Sequence, residues 1–378
     1  MRIGIACYPT YGGSGAVATE LGMRLAQRGH EVHFVSYAHP FRLPRFLRNT
    51  YFHEIEVSRY PLFEYPPYSL AVTVAMHEIT TQRHLDLFHV HYAVPHATSA
   101  WLAKQMLDDP GALKIVTTLH GTDITLVGQD PSYRSIVKFS IERSDSLTAV
   151  SEFLKRETIA TFGCAGCDVR VIPNFVDTEI FGRGEDGQRR RNRNALANAD
   201  EKIIMHTSNF RPVKRVGDVV RVSARVMEKV PARLIFVGDG PDRHMAEEKA
   251  RSLGIGDRVV FLGKQESVAE LLACADLFLL PSESESFGLS ALEAMASEVP
   301  VVGTRCGGLE EVVEDGSTGR LLPVGAVDAM ADAAIEILED PARKAAMGRA
   351  GRAEAEEVYS VERILSLYES FYEEVLSQ

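Results

Sequence analysis

At 378 residues the chain is longer than one hydrophobic core usually supports, which predicts two domains of ordinary size. An apolar fraction of 45%, a charged fraction of 25% and a mean hydropathy of −0.07 exclude the composition of disorder and of membrane spans. A net charge of −11 excludes broad electrostatic attraction to nucleic acid, so an anionic ligand would have to be met locally.

In chain order, the apolar run at 3–7 predicts a first strand. It is too short for a signal-peptide core and leads straight into Tyr8-Pro9, so neither secretion signal nor transmembrane anchor is expected and the cytoplasm is the expected compartment. An amphipathic stretch with Val17, Leu21 and Leu25 on one face and a second run at 32–36 complete a βαβ opening. Further strands are predicted at 87–91, 115–119, 147–150 and 169–172, with crossover helices at 66–84, 95–107 and 130–144 and another helix N-capped at Ser151. Residues 182–200 turn to Gly, Arg, Asn and Asp and read as a linker or exposed turn. Beyond it, strands at 203–207, 234–237, 259–262, 277–280, 301–303 and 320–322 alternate with helical segments. The pattern predicts an α/β chain of two Rossmann-like, doubly wound domains facing a central cleft, residues 1–178 and 179–360, with a terminal helix at about 361–378 able to pack back on the first. Ligands of such sheets bind beyond the carboxyl ends of the strands.

Five cysteines at irregular spacing argue for a reducing compartment rather than a disulfide framework. Cys164-Ala165-Gly166-Cys167 could be a redox pair or half a zinc site, but no second Cys/His pair lies at a zinc-like distance and no helix signal follows, so it reads as a surface loop. Gly12-Gly13-Ser14-Gly15 opens the first helix, where backbone N–H groups can approach an anion. The dinucleotide spacing and the Walker lysine are both missing, and a tight turn explains the loop equally well.

In the second half, Glu285 and Glu293 are separated by seven residues. A helix starting near Gly288 would aim the N–H groups of Phe287, Gly288 and Leu289 at a phosphate, with Glu293 accepting two ribose hydroxyls and Glu285 meeting hydroxyls of a sugar. Acids placed near a helix's positive end for stability alone are the plain alternative. Arg211 and Lys214, just past a strand end, could clamp a diphosphate or be solvated surface cations. Gly238-Asp239-Gly240-Pro241 is a turn signal, and no further carboxylates gather near Asp239 and Asp242 to suggest a metal. His120, in His120-Gly121-Thr122-Asp123, stands at a strand's carboxyl end, where imidazole can hydrogen-bond a sugar hydroxyl or share developing charge, although a lone histidine is usually structural. His89 and His91 share one face of a strand and read as structural or cleft-lining. The basic stretches 189–193 and 42–48 are short and set in an acidic chain, so they read as solvated loops rather than RNA or membrane contacts.

Together the Gly-Gly-Ser-Gly loop, His120-Gly121-Thr122-Asp123, Arg211 with Lys214, Gly238-Asp239-Gly240-Pro241 and the Glu285/Glu293 pair resemble the family-4 retaining glycosyltransferases of the GT-B fold, in an order that covers nearly the whole chain. The stretch 7–22, with His39-Pro40-Phe41-Arg42-Leu43 and His89-Val90-His91-Tyr92, looks like the subgroup of the bacillithiol pathway that joins N-acetylglucosamine from its UDP donor to L-malate. The resemblance implies an enzyme needing no cofactor and no metal, which retains anomeric configuration by front-face attack while the leaving diphosphate helps to take the acceptor proton. It assigns the diphosphate to Arg211, Lys214 and the backbone of Phe287, Gly288 and Leu289, the ribose to Glu293, and the donor sugar to Glu285 and His120, with Gly13, Ser14 and Gly15 beneath the phosphates and reacting centre. His120, Glu285, Arg211 and Lys214 form the implied catalytic set.

A dicarboxylate acceptor in an acidic protein needs a focused positive or N–H-rich surface, for which Ser14, Tyr92, Thr122, Arg143 and Asn174, near predicted strand ends or turns of the first domain, are the candidates. A guanidinium in the cleft would suit malate; a surface helix arginine is the alternative for Arg143. The implied partners are UDP-N-acetylglucosamine and L-malate, with no nucleic acid, no stable membrane insertion and room for a homodimer. Rivals are a lipid, inositol phosphate or sugar phosphate acceptor, a UDP-sugar 2-epimerase, against which Glu285/Glu293 with Arg211 and Lys214 argues, and a sensor that would bind UDP without turnover.

Overall fold

The computed structural model describes residues 1–9, 12–57, 64–164 and 167–378. Thr10 and Tyr11 of the first loop and Ala165 and Gly166 of the C-x-x-C segment lie outside the described residues. Strands β1 (Arg2–Ala6), β2 (Glu31–Ser36), β3 (Thr50–Glu54), β4 (Leu87–His91), β5 (Lys114–Leu119), β6 (Ser146–Ala149) and β7 (Val169–Val171) form one parallel sheet in the order β3-β2-β1-β4-β5-β6-β7. Helices α1 (Gly13–Gln27), α2 (Tyr68–Arg83), α3 (Thr98–Gln105), α4 (Thr122–Thr125), α5 (Pro131–Arg143) and α6 (Glu152–Phe162) make its crossovers. Sheet residues such as Ile3, Ile5, Phe34, Phe88 and Val90 are buried, as a sheet covered on both faces requires. Ser151 caps α6, its side chain accepting from Leu154 N at 3.1 Å.

The sequence reading passed over β3, an edge strand whose residues are all half-buried or exposed and so carry no apolar run. Residues 182–200, whose composition reads as a linker or exposed turn, hold α7 (Asp186–Leu196) over most of their length. That helix has no buried residue and therefore no hydrophobic period to read. It is held instead by polar contacts: Arg189 pairs with Asp186 one turn away, and Arg193 donates to Cys274 O and Glu201 O and pairs with Asp276.

A second parallel sheet follows, β10-β9-β8-β11-β12-β13, from β8 (Lys202–Ser208), β9 (Ala232–Gly238), β10 (Val259–Phe261), β11 (Leu277–Leu280), β12 (Val301–Thr304) and β13 (Gly319–Leu322). Its helices are α8 (Val216–Val226), α9 (Arg243–Ser252), α10 (Ala269–Leu272), α11 (Leu289–Ala296), α12 (Leu309–Val312), α13 (Val327–Glu339) and α14 (Pro341–Glu357). Val219, Val220, Val222 and Val226 of α8 join Leu234, Phe236, Met330, Ala334 and Ile337 in one buried cluster.

The chain divides into two compact units, residues 1–173 with 362–378 and residues 174–361, so the division falls at Pro173/Asn174 rather than at 178/179. Residues after Pro173 are tied to the second unit, because Val176 N donates to Tyr359 O at 3.0 Å. A final helix, α15 (Val361–Ser377), belongs to the first unit, where its Tyr368 and Tyr372 are fully buried and Arg28 binds both Glu362 and Glu369. No described helix is long and apolar enough to cross a membrane.

Candidate active site

The parallel register brings chemistry to the carboxyl ends of the first sheet. β4 and β5 pair so that His91 lies opposite Thr118; with side chains alternating, Thr118 and His120 face the way His89 and His91 do. His89 Nε2 lies 2.6 Å from Thr118 Oγ1 and its Nδ1 lies 2.6 Å from the hydroxyl of Tyr372. One step along, His91 Nδ1 lies 2.7 Å from His120 Nε2. His96 Nδ1 donates to the backbone carbonyl of His91 at 2.8 Å. Burial pushes His89 and His120 down to about 3 and His96 to about 4, and holds His91 well below the usual imidazole range, so all four are neutral near pH 7.

Around this core sit the aromatic and hydroxyl groups. Tyr92, with φ 85, follows β4; its hydroxyl is 2.6 Å from Ser14 Oγ at the start of α1, and its ring lies 5.3 Å from His120 and 5.5 Å from Tyr8. Asp123 accepts from Gly121 N at 3.0 Å and from Ala93 N at 3.3 Å, fastening the loop after β5 to the loop after β4; burial pushes its carboxyl up to about 6. Ser14, Tyr92, His120 and Thr122 therefore share one edge. Gly13 and Gly15 belong there too, as the exposed first residue and buried third residue of α1.

One acceptor candidate is placed elsewhere. Arg143 is the last residue of α5, just ahead of β6; Asp145 N, two residues on, donates to Ile115 O near the start of β5. Arg143 thus lies at the amino edge of the sheet, exposed and over the Phe139 ring, because a crossover helix ends where the next strand begins. Asn174 is buried three residues past β7 and is the first residue of the second unit. The C-x-x-C segment is not wholly a surface loop: Cys164 is buried, and burial together with the neighbouring Cys164 pushes the half-buried Cys167 thiol up.

In the second unit, a hydrogen-bond chain shapes the loop after β8. His206 Nδ1 donates to Leu279 O at 2.8 Å, so its Nε2 accepts from Ser208 Oγ at 2.8 Å, and Ser208 Oγ accepts from Phe210 N at 3.2 Å. The turn at Phe210, with φ 40, presents Arg211 to solvent; among the described residues its guanidinium has no partner. Lys214 pairs with Glu285 at 2.7 Å, and Ser282 Oγ donates to the same Glu285 Oε1 at 2.7 Å. Both donors converge on one oxygen, leaving Oε2 of a residue only 8% exposed to serve a ligand hydroxyl.

The loop before α11 is stitched on both sides, Glu283 N to Val213 O and Gly308 N to Glu285 O, each at 2.8 Å. Gly288 precedes α11 with φ 101, and a Cβ there would sit 2.7 Å from Leu309 Cδ1, so this turn admits only glycine. The Phe287 side chain is buried edge-on to Tyr359, which leaves its backbone for any ligand. Glu293, 7% exposed, is the fifth residue of α11. Sequence reasoning missed Ser282, His206, Ser208 and the pairing of His91 with His120; only the strand register, which sets who stands beside whom, could have signalled them. Among the described residues no three His, Cys, Asp or Glu gather to hold a metal ion.

Two family models match, Glycosyltransferase Family 4 over residues 11–180 and Glycosyl transferases group 1 over residues 188–354. The chain is 48% identical over 376 residues to N-acetyl-alpha-D-glucosaminyl L-malate synthase of Bacillus anthracis, covering 100% of this chain and 97% of that protein. It is 32% identical over 291 residues to D-inositol 3-phosphate glycosyltransferase of Kribbella flavida, covering 70% of this chain and 66% of that one. Among solved structures, sucrose-phosphate synthase from Thermosynechococcus elongatus has a TM-score of 0.83 at 23% identity, over 100% of this chain and 99% of that one. Anabaena HepE in complex with UDP and glucose has a TM-score of 0.78 at 20% identity, over 98% and 99%. These two likenesses show the fold.

Proposed function

The chain belongs to glycosyltransferase family 4, and from that premise we propose that it transfers N-acetylglucosamine from UDP-N-acetylglucosamine to L-malate with retention of anomeric configuration. The observation that carries this reading is the 48% identity to the Bacillus anthracis synthase across essentially the whole of both chains. The second unit takes the donor: Arg211 and Lys214 meet the diphosphate, the backbone before α11 adds N–H groups, Glu293 accepts from the ribose hydroxyls and Glu285 Oε2 from a sugar hydroxyl. Lys214 reaches the donor already anchored on Glu285, at 2.7 Å, so little side-chain entropy remains to be lost on binding.

The first unit supplies the acceptor groups, the Ser14–Tyr92 pair and Thr122, at one edge with the amino end of α1 beside them, and His120 at the same edge is kept for the donor sugar. Arg143 is left out of this set because it stands at the other edge. In the transfer, the bond from the anomeric carbon to the UDP oxygen breaks, the malate hydroxyl oxygen bonds to that carbon on the same face, and the hydroxyl proton goes to the departing diphosphate. Arginine, lysine and backbone N–H groups neutralise that leaving group, so the reaction is expected to run without a metal ion. The test is UDP release from UDP-N-acetylglucosamine by purified protein in EDTA, with and without L-malate, and the mass of the product. Malate-dependent UDP release with a product of the mass of N-acetylglucosaminyl malate is the expected result. Turnover with inositol phosphate and none with malate would overturn the acceptor, and turnover only after adding a divalent cation would overturn metal independence.

A further inference from the structure

We propose that His91 is a positioning residue that locks His120 in the tautomer carrying its proton on Nδ1, so that His120 serves the reaction as a hydrogen-bond donor and never as the base. The inference begins with the 2.7 Å contact between His91 Nδ1 and His120 Nε2. Two neutral imidazoles at that distance share one proton, and either ring could donate it. If His120 donated from Nε2, His91 would have to carry its single N–H on its own Nε2. That atom is fully buried and has no hydrogen-bond partner among the described residues. A buried N–H without an acceptor is among the rarest and most costly arrangements in folded proteins, whereas an unfilled lone pair is better tolerated.

His96, whose Nδ1 contacts the carbonyl of His91, shows which alternative this cluster accepts. A carbonyl oxygen can only accept, so His96 must donate from Nδ1, and its buried, unpartnered Nε2 is then a bare nitrogen. The same packing thus already holds one imidazole with a naked Nε2. His91 follows the same pattern: it donates from Nδ1, keeps Nε2 bare, and fills the Nε2 lone pair of His120. His120 is left with its proton on Nδ1, a nitrogen that is not sealed in the interior, in a side chain that is half-buried at the edge shared with Tyr92 and Ser14.

Burial keeps the pair neutral, which denies His120 a role as a cationic clamp. With Nε2 occupied and Nδ1 protonated, it has no lone pair to offer, so it cannot take the proton of the attacking hydroxyl. It can donate to a substrate oxygen that gains negative charge as the sugar-phosphate bond breaks. This use of the donor rests on the proposed transfer; the tautomer itself does not.

The experiment therefore begins on the ligand-free full chain labelled with 15N-histidine, with the His120 and His91 resonances assigned from His120→Gln and His91→Asn variants. Long-range proton–nitrogen correlation is expected to show His120 protonated at Nδ1 and unprotonated at Nε2. The reverse pattern would overturn the proposal whatever reaction the enzyme performs. Two variants then separate positioning from packing. In His91→Asn, an amide can still donate where Nδ1 stood; the Nδ1–H tautomer of His120 should persist and kcat should stay within about tenfold. In His91→Leu the donor is gone; His120 should become a tautomer mixture, with kcat down about 10²-fold and the malate KM little changed. Equal loss in both variants with the tautomer unchanged would reduce His91 to packing and overturn its role. Should His91→Leu fail to fold, the tautomer in wild-type and His91→Asn protein still decides.

Discussion

The carboxyl edges of the two sheets are made of opposite materials. The first is a bundle of neutral rings and hydroxyls, with His89, His91, His96 and His120 joined to Tyr372, Thr118 and one another. The second is made of charges and glycines, with the Lys214–Glu285 pair, an Asp218 held between Arg215 and Arg221, and turns where no other residue fits. Two sheets of the same topology class can thus be made sensitive to different things. Protons should act on the first edge, whereas loss of a cation or gain of a methyl group should act on the second.

The harshest way to test this contrast is Gly238→Ala. Gly238 ends β9 with φ 116, and an added Cβ would fall 1.9 Å from Ser208 O, a backbone atom that cannot swing away. A loss of about 4 kcal/mol or more is expected in denaturant unfolding, and a variant of normal stability would refute the close approach. Next comes the double variant Arg211→Ala with Lys214→Ala. It should lower kcat/KM by about 10³-fold or more while circular dichroism stays that of the wild type, since an exposed arginine and a rim lysine support no core. Near-normal transfer would remove both cations from the donor site.

Acid sharpens the contrast more gently. The buried histidines of the first unit have folded values below the ordinary 6.5 of the unfolded chain, so the unfolded state binds more protons between those limits. Their contribution is complete above pH 6.5 and is lost as pH falls. A histidine at about 4, such as His96, gives up about 2 kcal/mol by pH 5. Asp123, raised to about 6, runs the other way and offsets about one of them. Stability should therefore drop steeply from pH 6.5 toward 4, with amide exchange rising first in the first unit, although that of the second holds one such histidine, His206, at about 4. A flat profile would contradict the neutral cluster. The smallest effect is expected of Arg143→Ala, which should leave stability within about 0.5 kcal/mol and the malate KM unchanged. A large rise in that KM would return Arg143 to the acceptor set.

Much of this was legible in the sequence because sheets buried on both faces write themselves as continuous apolar runs; 203–207 and 277–280 nearly coincide with β8 and β11. The turn glycine before α11 and the acids on either side of it were likewise readable, since a helix start is a local event. What escaped depends on neighbours far apart in the chain. β3 is an edge strand and α7 has no apolar face, so neither carries a period. His91 could be placed on a strand face, but that it would meet His120 depended on how β4 and β5 align. For Arg143 the sequence leaves a cleft guanidinium and a surface helix arginine both open, and its place at the end of α5, immediately ahead of a strand, puts it at the amino end.

The return of α15 to the first unit bears on how the protein is made. The ribosome finishes the first sheet early, yet Tyr368 and Tyr372, which pack against His89 in its core, are not synthesised until the whole second unit has been translated. During that interval His89 lacks its tyrosine partner and the sheet face beneath α15 is uncovered. The first half therefore emerges without the helix that completes it, whereas the second unit is contiguous in the chain.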